Sequence, residues 1–212
     1  MKPTLHYVFD PLCGWCYGAS LAVGIVAATG AAQLRLLPSG LFQGDGARPM
    51  DDNFAAYAWS NDQRIQHLTG QLFSQRYRDG VLADRRQRFD SGPATLALSA
   101  VALTAPEQEV QALAAIQRAR YVDGQDVTSP DVLAATLAAL GLTQAARRFQ
   151  AADPAVQATA DARIAQARAL MQRHGARGVP TFIREAGGHE RLLDSRSAYG
   201  DPGALAAQLM AA

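Results

Sequence analysis

The hydrophobic pattern near the start of the chain changes from that of a strand to that of a helix. Residues 5–9 form a short apolar run rich in aromatic side chains, which is typical of a buried strand. Residues 33–37 alternate and then run apolar, as a second parallel strand would. Between them, apolar or small residues recur at helical spacing, at Cys16, Ala19, Ser20, Val23 and Ala27. Residues 4–38 therefore predict a β-α-β unit.

The middle of the chain has helical periodicity, and no segment from residue 51 to about residue 175 has a convincing strand pattern. Residues 79–91 are rich in arginine and aspartate and predict an exposed loop. Prolines and acidic residues stand where helices prefer to begin. The predicted helices run from Asp51 or Asp52 to Tyr77, Pro93 to Thr104, Pro106 to Tyr121, Pro130 to Gly141, and Pro154 to His174.

Strand patterns return near the C-terminus. Residues 180–184 and 190–193 predict two short strands joined by a glycine-containing hairpin turn, and a last helix is expected to end near Met210. The element order predicts an α/β protein with a thioredoxin-like fold and an all-helical insertion domain. We expect the thioredoxin-like domain to consist of residues 1–47 and 176–212, and the insertion to span residues 48–175.

Composition and charge indicate a globular protein. Hydrophobic residues make up 49% of the 212 residues, which is enough for a sizeable core. The 20 Lys and Arg residues nearly balance the 19 Asp and Glu residues. This balance gives no reason to expect nucleic acid or an anionic membrane as a partner.

The N-terminal apolar run is too short for the core of a signal peptide. No stretch approaches the roughly 20 apolar residues that span a bilayer. We therefore expect a cytoplasmic protein. In that compartment a pair of nearby cysteines is catalytic or metal-binding more often than structural.

Cys13 and Cys16 are the only cysteines in the chain, and two residues separate them. A disulfide between them would close a very small ring, which removes little chain entropy, because the stabilisation grows with loop length. A structural disulfide would join distant segments instead. The spacing therefore indicates a redox-active disulfide that opens and closes.

The predicted helix assigns different roles to the two thiols. Cys13 stands at the helix start, where free backbone N–H groups and the helix dipole favour a thiolate and lower the pKa of a thiol. We expect Cys13 to attack a substrate disulfide and Cys16, one turn further in, to resolve the mixed disulfide. Gly14 and Trp15 add no positive charge, so the couple should be less oxidising than a histidine-containing one. Trp15 is either a packed aromatic residue or a substrate contact.

Asp10, three residues before Cys13, has two interpretations. It is a possible proton acceptor for the thiols, or it caps the turn at Pro11, since Asp-Pro favours turns. The four histidines are scattered without the spacing of metal ligands, so we predict no metal site.

Several segments resemble those of one protein family, and the resemblance covers the whole chain. Its residues are 9–18 around the cysteines, 69–73, 90–94, 121–127 and 178–182. They are similar to the DsbA-like branch of the thioredoxin superfamily, and most of all to the group described as predicted protein-disulfide isomerases. Gly-Trp between the cysteines departs from the Pro-His of the best-known periplasmic oxidases.

The resemblance implies functional residues at two sites in the chain. Cys13 would be the nucleophile and Cys16 the resolving thiol. The bond between Val179 and Pro180 would be cis and would face Cys13, so that Val179 and Pro180 bind substrate. A cis assignment has no such support from the residues alone, because most X-Pro bonds are trans.

The sequence thus predicts a thiol–disulfide oxidoreductase or isomerase acting on protein or small-molecule disulfides. No cofactor is expected besides the Cys13–Cys16 disulfide, with glutathione as a candidate co-substrate. One alternative is a glutathione-dependent isomerase or transferase of the kappa type; these rely on a single activated serine, and Cys16 argues against them. Another is a module that binds zinc or an iron–sulfur cluster, for which two thiolates supply half of the ligands. The oligomeric state stays open.

Overall fold

Four strands form one mixed sheet in a computed structural model that describes residues 2–210. Strand β1 (Thr4–Phe9) pairs in parallel with β2 (Gln33–Pro38) and antiparallel with β5 (Thr181–Ala186). Strand β6 (His189–Leu192) continues the sheet as a hairpin with β5, so the spatial order is β2-β1-β5-β6. The predicted β-α-β unit and the predicted hairpin are both present.

The register of the central pair brings two distant segments together. Val8, next to the end of β1, is paired with Thr181, the first residue of β5. The chain leaving β1 leads to Cys13, and Pro180 immediately precedes β5. The sheet therefore places the cysteine motif beside the proline loop.

The remaining elements are mostly helical, and they form the predicted helical insertion between β2 and β5, which also contains two short strands. The two-residue strands β3 (Arg48–Pro49) and β4 (Arg88–Phe89) pair only with each other. The helices are α1 (Gly14–Gly18), α2 (Ser20–Thr29), α3 (Asp52–Thr69), α4 (Gly92–Thr104), α5 (Glu109–Tyr121), α6 (Pro130–Ala139), α7 (Thr143–Gln150), α8 (Pro154–Arg173) and α9 (Ala204–Met210).

Three expectations about the insertion were wrong. Helix α3 ends at Thr69 rather than at Tyr77, because Gly70 adopts a φ of 72°, the left-handed conformation that ends many helices. The segment predicted as an exposed loop contains a π-helical turn over Tyr77–Leu82, which buries Tyr77, Val81 and Leu82. Strand β4 also lies in the interval where no strand was expected.

One predicted helix is divided in two, and one helix was not predicted. The helix expected to start at Cys13 is interrupted at Ala19, which separates α1 from α2. Helix α7 is an additional element, which follows the end of α6 after Gly141, a residue with a φ of 77°.

Both faces of the sheet are covered. On one face Val8 and Ile183 pack with Ala167 and Leu170 of α8, whereas the main core includes Tyr7, on the other face. Among residues 2–210, no helix is both long enough and apolar enough to cross a bilayer. The proposed domain boundaries stay a prediction, and their outermost residues, 1 and 211–212, lie outside the described part of the chain.

Candidate active site

Cys13 and Cys16 are both free thiols at the start of α1. Cys13 is the N-cap residue, with an extended backbone, and Cys16 lies within the first turn. The exposed fraction is 7% for Cys13 and 0% for Cys16. Only Cys13 therefore offers a surface that a substrate disulfide can approach.

The surroundings of Cys16 keep it protonated. Burial raises its pKa well above the usual value for a thiol, and the hydrogen bond and charge interaction with Cys13 act in the same direction. A hydrogen bond from the Asp10 backbone opposes this shift, whereas the charge of the Asp10 carboxylate adds to it. Cys16 needs a proton acceptor before it can attack a disulfide.

The Val179–Pro180 peptide bond is cis, as predicted, and this loop faces Cys13. The Cys13 thiol donates a hydrogen bond to the Val179 carbonyl oxygen, with a sulfur–oxygen distance of 3.7 Å. Pro180 is buried and Val179 is half-buried. Thr181 holds the loop from its other end, because its hydroxyl donates to the Gly178 carbonyl at 2.7 Å.

Two open grooves meet at this loop, and Gly178 and Val179 line both of them. One groove, of about 600 Å³, lies between the loop after β2 and the side chains of Arg168 and Arg177. The other, of about 540 Å³, is lined by Trp15, Pro180 and Tyr199 together with residues of the β6 end. A substrate chain placed across Val179 would thus extend into space on both sides.

Trp15 lies at the rim of the second groove and is half-buried. Its ring packs edge-on against Tyr199 at a centroid distance of 5.2 Å, and the Tyr199 hydroxyl donates to the Trp15 carbonyl at 3.4 Å. The exposed Arg64 guanidinium lies 5.7 Å from the centre of the Trp15 ring. Trp15 is therefore a packed aromatic residue that also lines the groove beside Pro180.

Asp10 is fully buried and does cap the turn. Its carboxylate accepts hydrogen bonds from the Leu12 N–H at 3.0 Å, the Phe42 N–H at 3.1 Å and the Ser91 hydroxyl at 2.8 Å. Burial raises the pKa of Asp10, although these hydrogen bonds counteract the rise. Since its charge also affects Cys16, Asp10 remains a candidate proton acceptor for that thiol.

Asp62 is a second buried carboxyl group at the motif, and sequence reasoning missed it. A Cβ atom on Gly14 would overlap Asp62 Oδ1 and lie 3.6 Å from Asp62 Cγ. Asp62 is 4% exposed and sits on α3, in the same helical stripe as the buried Ile65. That position of an aspartate on the apolar side of a helix was the one available signal.

Two tyrosines hold the backbone on either side of the cysteines. The Tyr7 hydroxyl donates to the Cys16 carbonyl at 3.3 Å, and the Tyr121 hydroxyl donates to the Leu12 carbonyl at 2.7 Å. Both side chains are buried, which raises the pKa of each phenol well above its usual value. They remain neutral hydrogen-bond donors and keep α1 in place.

The structure thus brings the predicted site residues of both motifs together around Cys13, with Asp10 behind them. In the part of the chain that is described, no group of three or more His, Cys, Asp or Glu side chains is arranged to hold a metal ion.

Comparison with known proteins finds similar chains along nearly the whole length. The sequence profile of the DSBA-like thioredoxin domain matches residues 4–198. The cytosolic disulfide reductase DsbM from Pseudomonas aeruginosa is 38% identical, with a TM-score of 0.86, over 97% of this chain and 96% of that chain. A structure of the same protein with GSH gives 36% identity and a TM-score of 0.85 over the same shares.

A candidate protein disulfide isomerase from Nitrosomonas europaea is 27% identical, with a TM-score of 0.78, over 99% of this chain and 96% of that chain. A search of curated proteins finds no match.

Proposed function

We propose that this chain, which belongs to the DSBA-like thioredoxin family and is a thiol–disulfide oxidoreductase, works as a dithiol reductase in a reducing compartment. The observation that carries the proposal is the position of Cys13. It is the more accessible thiol, caps a helix start, and faces the Val179 carbonyl, while Cys16 waits buried behind it.

The first step is attack on a substrate disulfide. The Cys13 thiolate bonds to one substrate sulfur, the substrate S–S bond breaks, and the other substrate sulfur leaves as a thiolate. Backbone groups of Val179 can pair with an extended substrate chain in the manner of an added strand. The two grooves that meet at Val179 supply room for the chain on both sides.

The second step resolves the mixed disulfide. Cys16 loses its proton to Asp10 and attacks the Cys13 sulfur, which forms the Cys13–Cys16 disulfide and releases the second substrate sulfur as a thiolate. The raised pKa values of Cys16 and Asp10 support this proton transfer. The Cys16 thiol loses its proton less readily than usual, and the Asp10 carboxylate accepts a proton more readily than usual.

Glutathione is the proposed source of electrons. One glutathione thiolate attacks the Cys13–Cys16 disulfide and forms a mixed disulfide with Cys13, which frees Cys16. A second glutathione thiolate attacks the glutathione sulfur of this mixed disulfide and releases glutathione disulfide and reduced Cys13. Two electrons thus pass from two glutathione sulfurs to the cysteines. Glutathione carries two carboxylates, and the groove beside Val179 offers the guanidinium groups of Arg168 and Arg177. The similarity to a reductase whose structure contains GSH supports the same choice.

Reduction is favoured over net oxidation for two reasons. Gly14 and Trp15 contribute no cation to stabilise the Cys13 thiolate, which keeps the disulfide form from being strongly oxidising. The similar reductase from Pseudomonas aeruginosa is described as cytosolic, which supports a reducing compartment. A protein of the kappa glutathione-transferase type needs a lone nucleophile and has no use for Cys16.

Glutathione-dependent reduction of hydroxyethyl disulfide and of insulin tests the proposal. The wild-type protein should reduce both, with the oxidised glutathione recycled by glutathione reductase and NADPH. Cys13→Ser should abolish the activity, and Cys16→Ser should reduce it strongly for insulin. Activity that survives Cys13→Ser would overturn the proposal. Faster refolding of scrambled ribonuclease than insulin reduction would indicate an isomerase instead.

A further inference from the structure

Asp62 lies against the first turn of the helix that carries both cysteines. Its Oδ1 atom occupies the space that a side chain at position 14 would need, and the Cδ1 atom of Ile65 comes within 3.2 Å of the same point. Helix α3 can approach this closely only because Gly14 has no side chain. The contact places a carboxyl group against Gly14, the residue that follows Cys13.

The other groups facing Asp62 come from two further elements. The Tyr77 hydroxyl, in the π-helical turn, donates to Asp62 Oδ2 at 2.9 Å. From α5, the positive charge of Arg120 acts on Asp62, and the charge of Asp62 acts on the neutral Tyr121. Arg120 is 1% exposed, and its Nε and one terminal nitrogen have no hydrogen-bond partner.

Burial raises the pKa of Asp62 to about 7, even though the Tyr77 hydrogen bond and the Arg120 charge lower it. The carboxyl group therefore changes its charge near neutral pH. Asp10, in contrast, follows β1, accepts three hydrogen bonds, and acts through its charge on Cys16. The two buried carboxyls contact different parts of the motif.

We infer that Asp62 is a positioning residue of the dithiol couple, whose ionised form disfavours the Cys13 thiolate and whose neutral form permits it. The inference rests on the proposed function. It assigns to Asp62 the pH dependence of the couple, whereas Asp10 serves the attack by Cys16.

The physical basis is repulsion between two negative charges on neighbouring groups of the site. A carboxylate beside Gly14 and a thiolate at Cys13 repel each other in a buried environment, so each charge disfavours the other. Reduction by two glutathione thiols yields glutathione disulfide, the Cys13 thiolate, the Cys16 thiol and one proton. Asp62 takes up that proton, because the new thiolate makes its carboxylate more basic.

The test is the equilibrium of the Cys13–Cys16 disulfide with glutathione between pH 5.5 and pH 8.5. The proteins are wild type, Asp62→Asn, Tyr77→Phe and the control Asp161→Asn, an exposed aspartate of α8. Thiols are trapped by alkylation and counted by mass spectrometry. In parallel, redox-difference infrared spectra at pH 7 record the carboxylic acid band.

At pH 8.5 we expect the disulfide of Asp62→Asn to be reduced about ten-fold more readily than that of wild type. This factor corresponds to a change of about one in the pKa of the attacking thiol when Asp62 is ionised. At pH 5.5 the two equilibria should coincide, because Asp62 is then neutral. Tyr77→Phe removes a hydrogen bond that lowers the pKa of Asp62. In this variant the effect of the ionised carboxylate on the equilibrium should therefore appear at a higher pH than in wild type. Reduction should increase the acid band in wild type and not in Asp62→Asn.

Parallel pH profiles for wild type, Asp62→Asn and Tyr77→Phe would overturn the inference, as would an acid band that reduction leaves unchanged. If the role of Asp62 were merely structural, Asp62→Asn would shift the equilibrium with glutathione by the same factor at every pH. Failure of the wild-type cysteines to equilibrate with glutathione at any pH would instead contradict the proposed function.

Discussion

The Cys13 sulfur lies 3.7 Å from the carbonyl oxygen of Val179, although 166 positions separate the two residues in the sequence. The attacking atom and the backbone proposed to hold the substrate are therefore neighbours before any substrate arrives. The sheet produces this contact, since the pairing of β1 with β5 sets the end of one strand beside the start of the other. Little reorganisation is needed to align a bound disulfide with Cys13.

Exchanging single cysteines should separate the two roles. Cys16→Ser should accumulate mixed disulfides with substrate, because attack by Cys13 proceeds and resolution does not. Cys13→Ser should accumulate none, since Cys16 is fully buried and its pKa is raised. Non-reducing electrophoresis and mass mapping of the adducts measure this. Equal trapping by both variants would contradict the two-step scheme.

Trp15→Ala should weaken substrate binding more than turnover. The ring forms one wall of the groove beside Pro180, and losing an aromatic contact costs about 1 kcal/mol. We expect KM for the disulfide substrate to rise about five-fold, with kcat nearly unchanged. Trp59→Ala is the matched control, because Trp59 lies on α3 in a different groove. A fall in kcat at constant KM would show that Trp15 acts on the chemistry instead.

Asp10→Asn should slow resolution rather than attack. An amide cannot accept the Cys16 proton, and loss of a general base costs roughly 100-fold or more. Rapid-quench analysis of reduced protein mixed with glutathione disulfide would follow formation and decay of the mixed disulfide. The decay should slow and the formation should not. Unfolding curves control for the lost hydrogen bond from Phe42, and an unchanged decay rate would exclude Asp10 as the acceptor.

Asp62 should make the protein less stable as the pH rises. Its pKa is about 7 in the folded state, and the value for an aspartate in the unfolded chain is 3.8. Between these two pH values the folded state therefore binds a proton that the unfolded state does not bind. Stability is consequently lost as the pH rises from 4 to 7. Relative to Asp62→Asn, oxidised wild type should lose on the order of 4 kcal/mol between pH 4 and pH 8.

Urea unfolding of both oxidised proteins across this pH range measures the loss, with Asp161→Asn as the control. A constant difference between wild type and Asp62→Asn would show that Asp62 does not titrate near neutral pH.

The parts of the site that the sequence predicted are those set by neighbouring residues. The spacing of Cys13 and Cys16 predicted the redox-active pair. Short-range hydrophobic patterns predicted the strand before the pair and the helix after it. The same patterns predicted the four strands of the sheet. The cis bond at Pro180 was predicted through the family resemblance, because local preference alone favours trans.

The parts that were missed depend on contacts between distant segments. Asp62 contacts Gly14 only because α3 packs closely on α1, and Tyr199 reaches Trp15 from the far end of the chain. The π-helical turn over Tyr77–Leu82 is likewise selected by burial of its apolar side chains against the arginine-rich pattern of that segment. Such contacts have no signature in the periodicity of a single segment.

The most direct test of the central claim is a redox titration of the Cys13–Cys16 pair against glutathione at pH 7. The account predicts one two-electron transition, in which both thiols disappear together and the oxidised protein carries an internal disulfide without bound glutathione. Its midpoint should be more reducing than that of a Gly14→Pro, Trp15→His double variant. A pair that never forms the internal disulfide, or that stops at glutathione bound to Cys13, would contradict the account.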